Sequence, residues 1–310
     1  MKVVFMGTPD FSVPVLEALV TGGHEVQAVV TQPDKPKGRG NAVLMTPVKE
    51  KALEYGLTVY QPQKVRDESF LQILRDLAPD VIVVVAFGQI LPKTLLQIPP
   101  YGCVNVHASL LPMYRGAAPI NWVIINGEKE TGVTTMQMDT GVDTGDMLEK
   151  VGVQVEEKET AGSLYDKLCV LGGQMILSTL KKIEEGSIQP TPQQGETCYA
   201  KMLDKELGDV NWESDAVSIE RLIRGLNPWP SAYTKYQDKM FKIWDADVTE
   251  EESEEKPGTI WKVTKDQIFV QTGKGSLILK EVQLQGKKRM DTAAFLHGFS
   301  VEAGSCFQKG

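Results

Sequence analysis

Hydrophobic positions in the first half of the chain alternate between two rhythms. Val3-Val4-Phe5-Met6 is an unbroken apolar run closed by Gly7-Thr8-Pro9-Asp10, which predicts a short strand buried on both faces. Ser12 stands where a helix N-cap is expected, with Pro14 in the first turn, Val15, Leu16, Leu19 and Val20 on one face, and Gly22-Gly23 as the stop. The beat repeats: strand over 25–31, helix over 47–55, strand over 57–60, and a helix marked by Phe70, Ile73, Leu74 and Leu77 before Pro79. The most apolar strand is expected over 81–86, followed by strand 103–107, helix 117–126, strand 133–138, strand 147–155 and a long helix over 161–185. Continuous apolar strands separated by amphipathic helices specify an α/β fold, a Rossmann-like, mostly parallel sheet with helices on both faces.

The pattern changes after Gly186. Residues 187–196 hold Pro190, Pro192, three glutamines and Gly195 without periodicity, and read as a connecting segment. One helix is expected over 217–226. Short alternating strands then follow over 232–236, 240–244, 258–263, 267–271 and 276–282, the spacing of a small β-barrel of OB-like type. The expected organisation is a catalytic domain over 1–189, a linker over 190–206 and a C-terminal barrel over 207–310.

Composition narrows the classes. A chain of 310 residues with 42% hydrophobic and 24% charged residues is a globular protein of about two domains. Its four cysteines, Cys103, Cys169, Cys198 and Cys306, are scattered and form no CxxC, which argues against a disulfide scaffold and a cysteine zinc site. A reducing cytoplasm fits. No basic-then-apolar leader is expected ahead of Val3, and no uncharged apolar run reaches membrane-spanning length, so no membrane partner is expected. The net charge of -8 gives no prior for nucleic acid, although a local basic patch acts within a Debye length of about 8–10 Å.

The first strand–helix turn reads GTPDF, without the GxGxxG dinucleotide fingerprint, and no GxxxxGK[ST] phosphate loop occurs. Ligands of a doubly wound sheet sit beyond the carboxyl ends of its strands, and the densest polar constellation lies at one such end: Asn105-Val106-His107-Ala108-Ser109-Leu110-Leu111-Pro112. Strand alternation points Asn105 and His107 to one side, with Ser109 continuing if the strand persists. An amide beside an imidazole forms an oxyanion clamp; a histidine that merely ends a strand in a structural role is the competing reading. The loop Asp139 to Asp146 holds three acids among glycines but does not fit the calcium-loop spacing; the alternative is a carboxylate aimed at His107. A Ser109/His107/Asp143 triad is disfavoured, because Ser109 lacks the nucleophile elbow and shares a strand with its base.

The segments NVHASLLP (105–112) and DTGD (143–146), with GTPDF (7–11), QPDKPKGRG (32–40), FGQILP (87–92), SLLPMYRGAAPI (109–120) and TGVTTMQMDTGVDTGDM (131–147), resemble the folate-dependent formyltransferase family, and its tRNA-acting branch in particular, over essentially the whole chain. The resemblance implies N-formylation of the methionyl group on initiator methionyl-tRNA, with 10-formyltetrahydrofolate as donor and no metal. The family's catalytic positions fall on Asn105, His107 and Asp143. Its folate pocket falls on Ser109, Leu110, Leu111 and Pro112, with backbone from Phe87, Gly88, Gln89 and Ile90. An X-Pro bond at Leu111-Pro112 beside a ligand is a candidate for the cis form. The chemistry agrees: an amine adding to a formyl carbon creates an oxyanion that two donors stabilise, while a neighbouring carboxylate relays protons.

The basic segment 34–41 carries Lys35, Lys37 and Arg39, with Lys49 beyond. By composition it is a solvated loop; by the resemblance it engages the tRNA acceptor end. In the C-terminal part the acids concentrate between Asp247 and Glu255, leaving a modestly basic remainder that includes Lys287, Lys288 and Arg289. Such a face fits oligonucleotide binding and equally fits a structural barrel. Competing readings keep the same pocket for an amino sugar nucleotide, glycinamide ribonucleotide or water, or make the chain a non-catalytic folate or RNA binder. A monomer is expected.

Overall fold

A computed structural model describes residues 1–37 and 42–310. These form two compact units: 1–116, 130–154 and 165–200 in one, 117–129, 155–164 and 201–310 in the other.

The first unit is built on a seven-stranded sheet. Its strands run in the order Met147–Gln154, Glu130–Gln137, Cys103–His107, Val81–Val85, Lys2–Gly7, Glu25–Val30 and Val59–Tyr60. Pairing is parallel from Cys103–His107 to Val59–Tyr60 and antiparallel at the two remaining strands. The chain lays its first strands outward from Lys2–Gly7, then returns to place Val81–Val85 on the other side, which creates a switch point. Val3 to Met6 and Val81 to Val85 are essentially sealed from solvent, as expected for strands covered on both faces.

Helix Val13–Thr21 follows the first strand, but Ser12 does not cap it through its side chain. Its Oγ donates to the Val85 carbonyl at 2.7 Å and ties the GTPDF turn to the neighbouring strand end. Helix Glu68–Leu77 ends as Pro79 demands, with Ala78 left-handed at φ 46°. Lys35–Lys37 pairs antiparallel with Ala42–Leu44.

The expected boundaries at 189 and 207 do not coincide with these units. Backbone pairing holds several residues of the aperiodic segment 190–206. Thr191 pairs with Met147, and Tyr199–Ala200 pairs in parallel with Arg115–Gly116. Helix Pro119–Asn126 belongs to the second unit, where Asn121 donates to the Gly225 carbonyl at 2.7 Å.

The second unit carries an antiparallel sheet in the order Ala232–Tyr236, Lys239–Thr249, Ser276–Leu284, Ile268–Gln271 and Ile260–Val263. The C-terminal residues bridge both of its edges, Gln308 pairing with Lys235 and Cys306 with Thr259, so the tail closes the sheet edges that would otherwise stay open. Trp212 stacks on Phe307 at 5.3 Å in the aromatic centre, beside Tyr236 and Phe241. Helix Thr292–Gly298, which the alternating pattern had not predicted, packs Phe295 against Phe241.

Candidate active site

Strand Cys103–His107 lies between Val81–Val85 and Glu130–Gln137, with Asn105 opposite Val84 on one side and Met136 on the other. Period-two alternation sends Asn105 and His107 the same way, and both are buried, 8% and 6% exposed. Asp143 arrives from the loop after Glu130–Gln137. Its Oδ2 lies 3.7 Å from His107 Nδ1, and its Oδ1 accepts from Asn105 Nδ2 at 3.5 Å. The three residues singled out from sequence therefore converge at the carboxyl end of one central strand.

The surrounding backbone fixes each group. His107 Nε2 lies 2.9 Å from the Tyr114 carbonyl; a carbonyl only accepts, so the proton sits on Nε2 and Nδ1 is the nitrogen turned to Asp143. The Gly116 amide donates to Asp143 Oδ2 at 2.8 Å. Asp143 itself is left-handed at φ 53°, as is Tyr114 at φ 58°. Gly145 is required by close approach: a Cβ there would stand 1.8 Å from the Gln137 carbonyl.

Asp139 of the same loop serves its own turn. Asp139 Oδ1 accepts from the Gly141 amide and the Thr144 hydroxyl at 3.0 and 2.7 Å. Among the described residues, no group of three or more His, Cys, Asp or Glu side chains gathers as a metal site would.

The expected folate-binding residues divide into two kinds. Strand Cys103–His107 stops before Ser109, so Ser109 does not continue the row; its fully buried hydroxyl donates to the Met113 carbonyl at 2.7 Å and shapes the turn. The Leu111 amide donates to Thr134 Oγ1, Leu111 is buried, and Leu111-Pro112 is cis. Leu110 and Pro112 are half-buried. Across the switch point, the Phe87 carbonyl accepts from Thr8 Oγ1 and Gln32 Nε2 at 2.9 and 3.1 Å. The Gln89 carboxamide accepts from the Val65 amide and donates to the Pro62 carbonyl. Gly88 is left-handed, and Ile90 is held out with 78% exposure. Half-buried apolar side chains such as Leu110 and Pro112 suit contact with a flat ring.

The basic residues also divide. Lys35 is exposed, Lys37 lies on the same strand, and Arg39 lies outside the described residues. Lys49 is not a free cation: its ammonium donates to Asp34 Oδ2 at 2.5 Å and to Gln61 Oε1 at 2.8 Å. The same bonds from Lys49 and Gln61 hold the Asp34 carboxyl below its ordinary range. In the second unit Lys287 and Lys288 are exposed, whereas Arg289 forks onto the Glu281 carboxylate and lies 4.5 Å from the Trp244 ring. Composition counts such charges as available, because it carries no information on pairing.

Sequence reasoning missed the residues that brace the site. Gln193 Nε2 donates to the carbonyls of Asp143 and Gly145, both at 2.8 Å, and its Oε1 accepts from Arg115 Nε and Nη2 at 3.0 and 2.7 Å. Their only signal was two adjacent glutamines in a stretch without periodicity.

Comparison with known proteins follows this geometry. The formyl transferase family profile matches residues 1–180, and the profile of the formyl transferase C-terminal domain matches residues 202–300. A methionyl-tRNA formyltransferase of Agathobacter rectalis is 58% identical over 308 residues, covering 99% of each chain. One of Lachnospira eligens is 53% identical and covers 98% of each. Among solved structures, the N-formyltransferase of Helicobacter canadensis with folinic acid and dTDP-3-aminofucose superposes with a TM-score of 0.68 at 18% identity, over 90% of this chain and 98% of that one. HypX of Aquifex aeolicus with tetrahydrofolic acid gives 0.64 at 20% identity, over 96% of this chain and 47% of that one. These two likenesses concern the fold.

Proposed function

The chain belongs to the formyl transferase family, and we propose that it transfers the formyl group of 10-formyltetrahydrofolate to the methionine amino group of initiator methionyl-tRNA. The observation that carries the reading is the convergence of Asn105, His107 and Asp143 at the switch-point end of the sheet, in a chain that matches methionyl-tRNA formyltransferases along its whole length. The sugar-acting alternative has only distant fold likeness behind it.

The donor supplies an activated formyl carbon on N10; the rest is positioning and electrostatics. As the amine nitrogen adds to that carbon, negative charge grows on the formyl oxygen. Asn105 Nδ2 donates to it, and His107 Nδ1 faces the same space. Nε2 is already bonded to the Tyr114 carbonyl, which leaves Nδ1 as the ring nitrogen available to the reacting centre. One such donor is worth roughly 10²–10³ in rate. Asp143 Oδ2 is held by the Gly116 amide at 2.8 Å, while Oδ1 has only the 3.5 Å contact with Asn105. Oδ1 is therefore the oxygen free to take a proton from the nitrogen once the neutral amine has added to the formyl carbon. That proton then passes to the N10 leaving group, directly or through water, and no net proton is lost.

Backbone from Phe87 to Ile90 and the turn Leu110 to Pro112 hold the folate. Lys35 in the first unit, and Lys287 and Lys288 in the second, are assigned to tRNA phosphates. The functional setting is the cytoplasm, where initiator tRNA is charged. The test offers labelled 10-formyltetrahydrofolate to the purified chain with methionyl-tRNA, an amino sugar nucleotide or water in parallel. Label appears in methionyl-tRNA; turnover confined to either of the other acceptors refutes the reading.

A further inference from the structure

The segment 191–200 carries a second layer of the site. Thr191 and Met147 exchange backbone hydrogen bonds of 2.9 and 2.8 Å, which pins the segment beside the end of the Asp143 loop. Thr197 Oγ1 donates to the Pro112 carbonyl at 2.5 Å, the Tyr114 amide donates to Cys198 Sγ at 3.4 Å, and the Arg115 amide donates to the Cys198 carbonyl at 3.1 Å. The segment thus grips the turn that presents the Tyr114 carbonyl to His107 and the Gly116 amide to Asp143.

Gln193 joins the two grips. Its amide nitrogen uses both protons on the carbonyls of Asp143 and Gly145, and its oxygen receives a forked pair from Arg115. Arg115 directly follows Tyr114 and directly precedes Gly116. Both Asp143 and Tyr114 are non-glycine residues with positive φ, a region that such residues occupy only when their surroundings hold them there. A side chain that bonds the Asp143 carbonyl on one side and the residue next to Tyr114 on the other is placed to hold both.

We propose that Gln193 is a positioning residue for the transfer, locking the Asp143 carboxylate and the His107 ring into register by tying the 143–145 turn to the 114–116 turn. This rests on the reading above that Asn105, His107 and Asp143 carry the reaction. Gln193 touches no reacting atom; its effect on the rate passes through the Asp143 carboxylate, which faces the His107 ring.

Gln193→Met keeps the length of the side chain and removes every hydrogen bond. It is expected to lower kcat about tenfold, with KM for methionyl-tRNA and for the folate within twofold of wild type. Gln193→Glu keeps an acceptor for Arg115 but cannot donate to the two carbonyls, so it is expected to lose kcat to a similar extent. It also keeps the test open if the Met variant does not fold. Repeating the Gln193→Met change in an Asp143→Asn background separates positioning from general support. A residue acting through the Asp143 carboxylate costs less than twofold further there, whereas a merely structural one repeats its tenfold loss.

A second readout does not depend on activity. The chain has three histidines, and imidazole ¹⁵N spectra of Gln193→Met are expected to shift the His107 signals while those of His24 and His297 stay in place. Wild-type kcat in Gln193→Glu, equal losses in the two backgrounds, or an unmoved His107 spectrum overturns the proposal. If the wild-type chain does not formylate methionyl-tRNA, the reading of the reaction fails instead, and the spectra alone decide whether Gln193 positions the ring.

Discussion

Replacing Asn105 by alanine separates what this side chain does for the fold from what it does for the reaction. The residue lies mid-sheet, and its backbone bonds to Val81–Val85 and Glu130–Gln137 survive the substitution. Among the described residues its one side-chain hydrogen bond is the 3.5 Å contact with Asp143 Oδ1, at the outer edge of useful geometry. Losing it costs about 1 kcal/mol at most. At roughly 2–4 °C per kcal/mol for a unit of this size, Tm falls by no more than about 4 °C. The rate responds differently, because the donor meets its full partner only when charge develops on the formyl oxygen. A loss of about 2.7–4 kcal/mol in transition-state stabilisation, or 10²–10³ in turnover, is expected. Single-turnover transfer of labelled formyl to methionyl-tRNA measures the rate, thermal unfolding measures the fold, and folate fluorescence measures donor binding, which stays near wild type. Turnover within about threefold of wild type refutes the donor role, as does a rate loss matched by a Tm collapse of ten degrees or more.

Two further outcomes follow from the charge pairing. Burial pushes the Glu149 carboxyl up, but hydrogen bonds from Lys182, Thr179 and Ser178 outweigh it and hold the group below its ordinary range. A depressed folded pKa contributes stability above the ordinary value and loses it as pH falls through the folded one. Tm is therefore expected to drop on acidification below about pH 4, with Glu149→Gln flattening that limb; superimposable Tm–pH profiles count against the cluster. In tRNA binding, the Lys287→Ala/Lys288→Ala pair is expected to reduce the slope of log affinity against log salt by about two, one per lost phosphate contact. Lys49→Ala leaves the slope unchanged, because its ammonium is paired with Asp34 and Gln61. A slope moved by Lys49 and not by the other two inverts this assignment.

The amino-acid order determined the α/β class and the sheet strands, because strands buried on both faces must be apolar along their whole length, as Val3 to Met6 and Val81 to Val85 are. It also set Asn105 beside His107, since side chains two apart on a strand share a face. Asp143 lies 38 positions from Asn105, and no local spacing relates them; the acid-rich loop offered a carboxylate, the resemblance singled out Asp143, and pairing of Glu130–Gln137 against Cys103–His107 delivers its loop to the imidazole. Tertiary structure alone decided which charges are free and which are paired, as with Lys49 and Arg289, and turned Ser12 from a helix cap into a tie to Val85. It also made an aperiodic stretch of prolines and glutamines into the brace on Asp143. Hydrophobic periodicity reports which face of an element is buried, whereas a hydrogen bond from Gln193 to a distant carbonyl depends on where two loops meet, a relation that has no period to read.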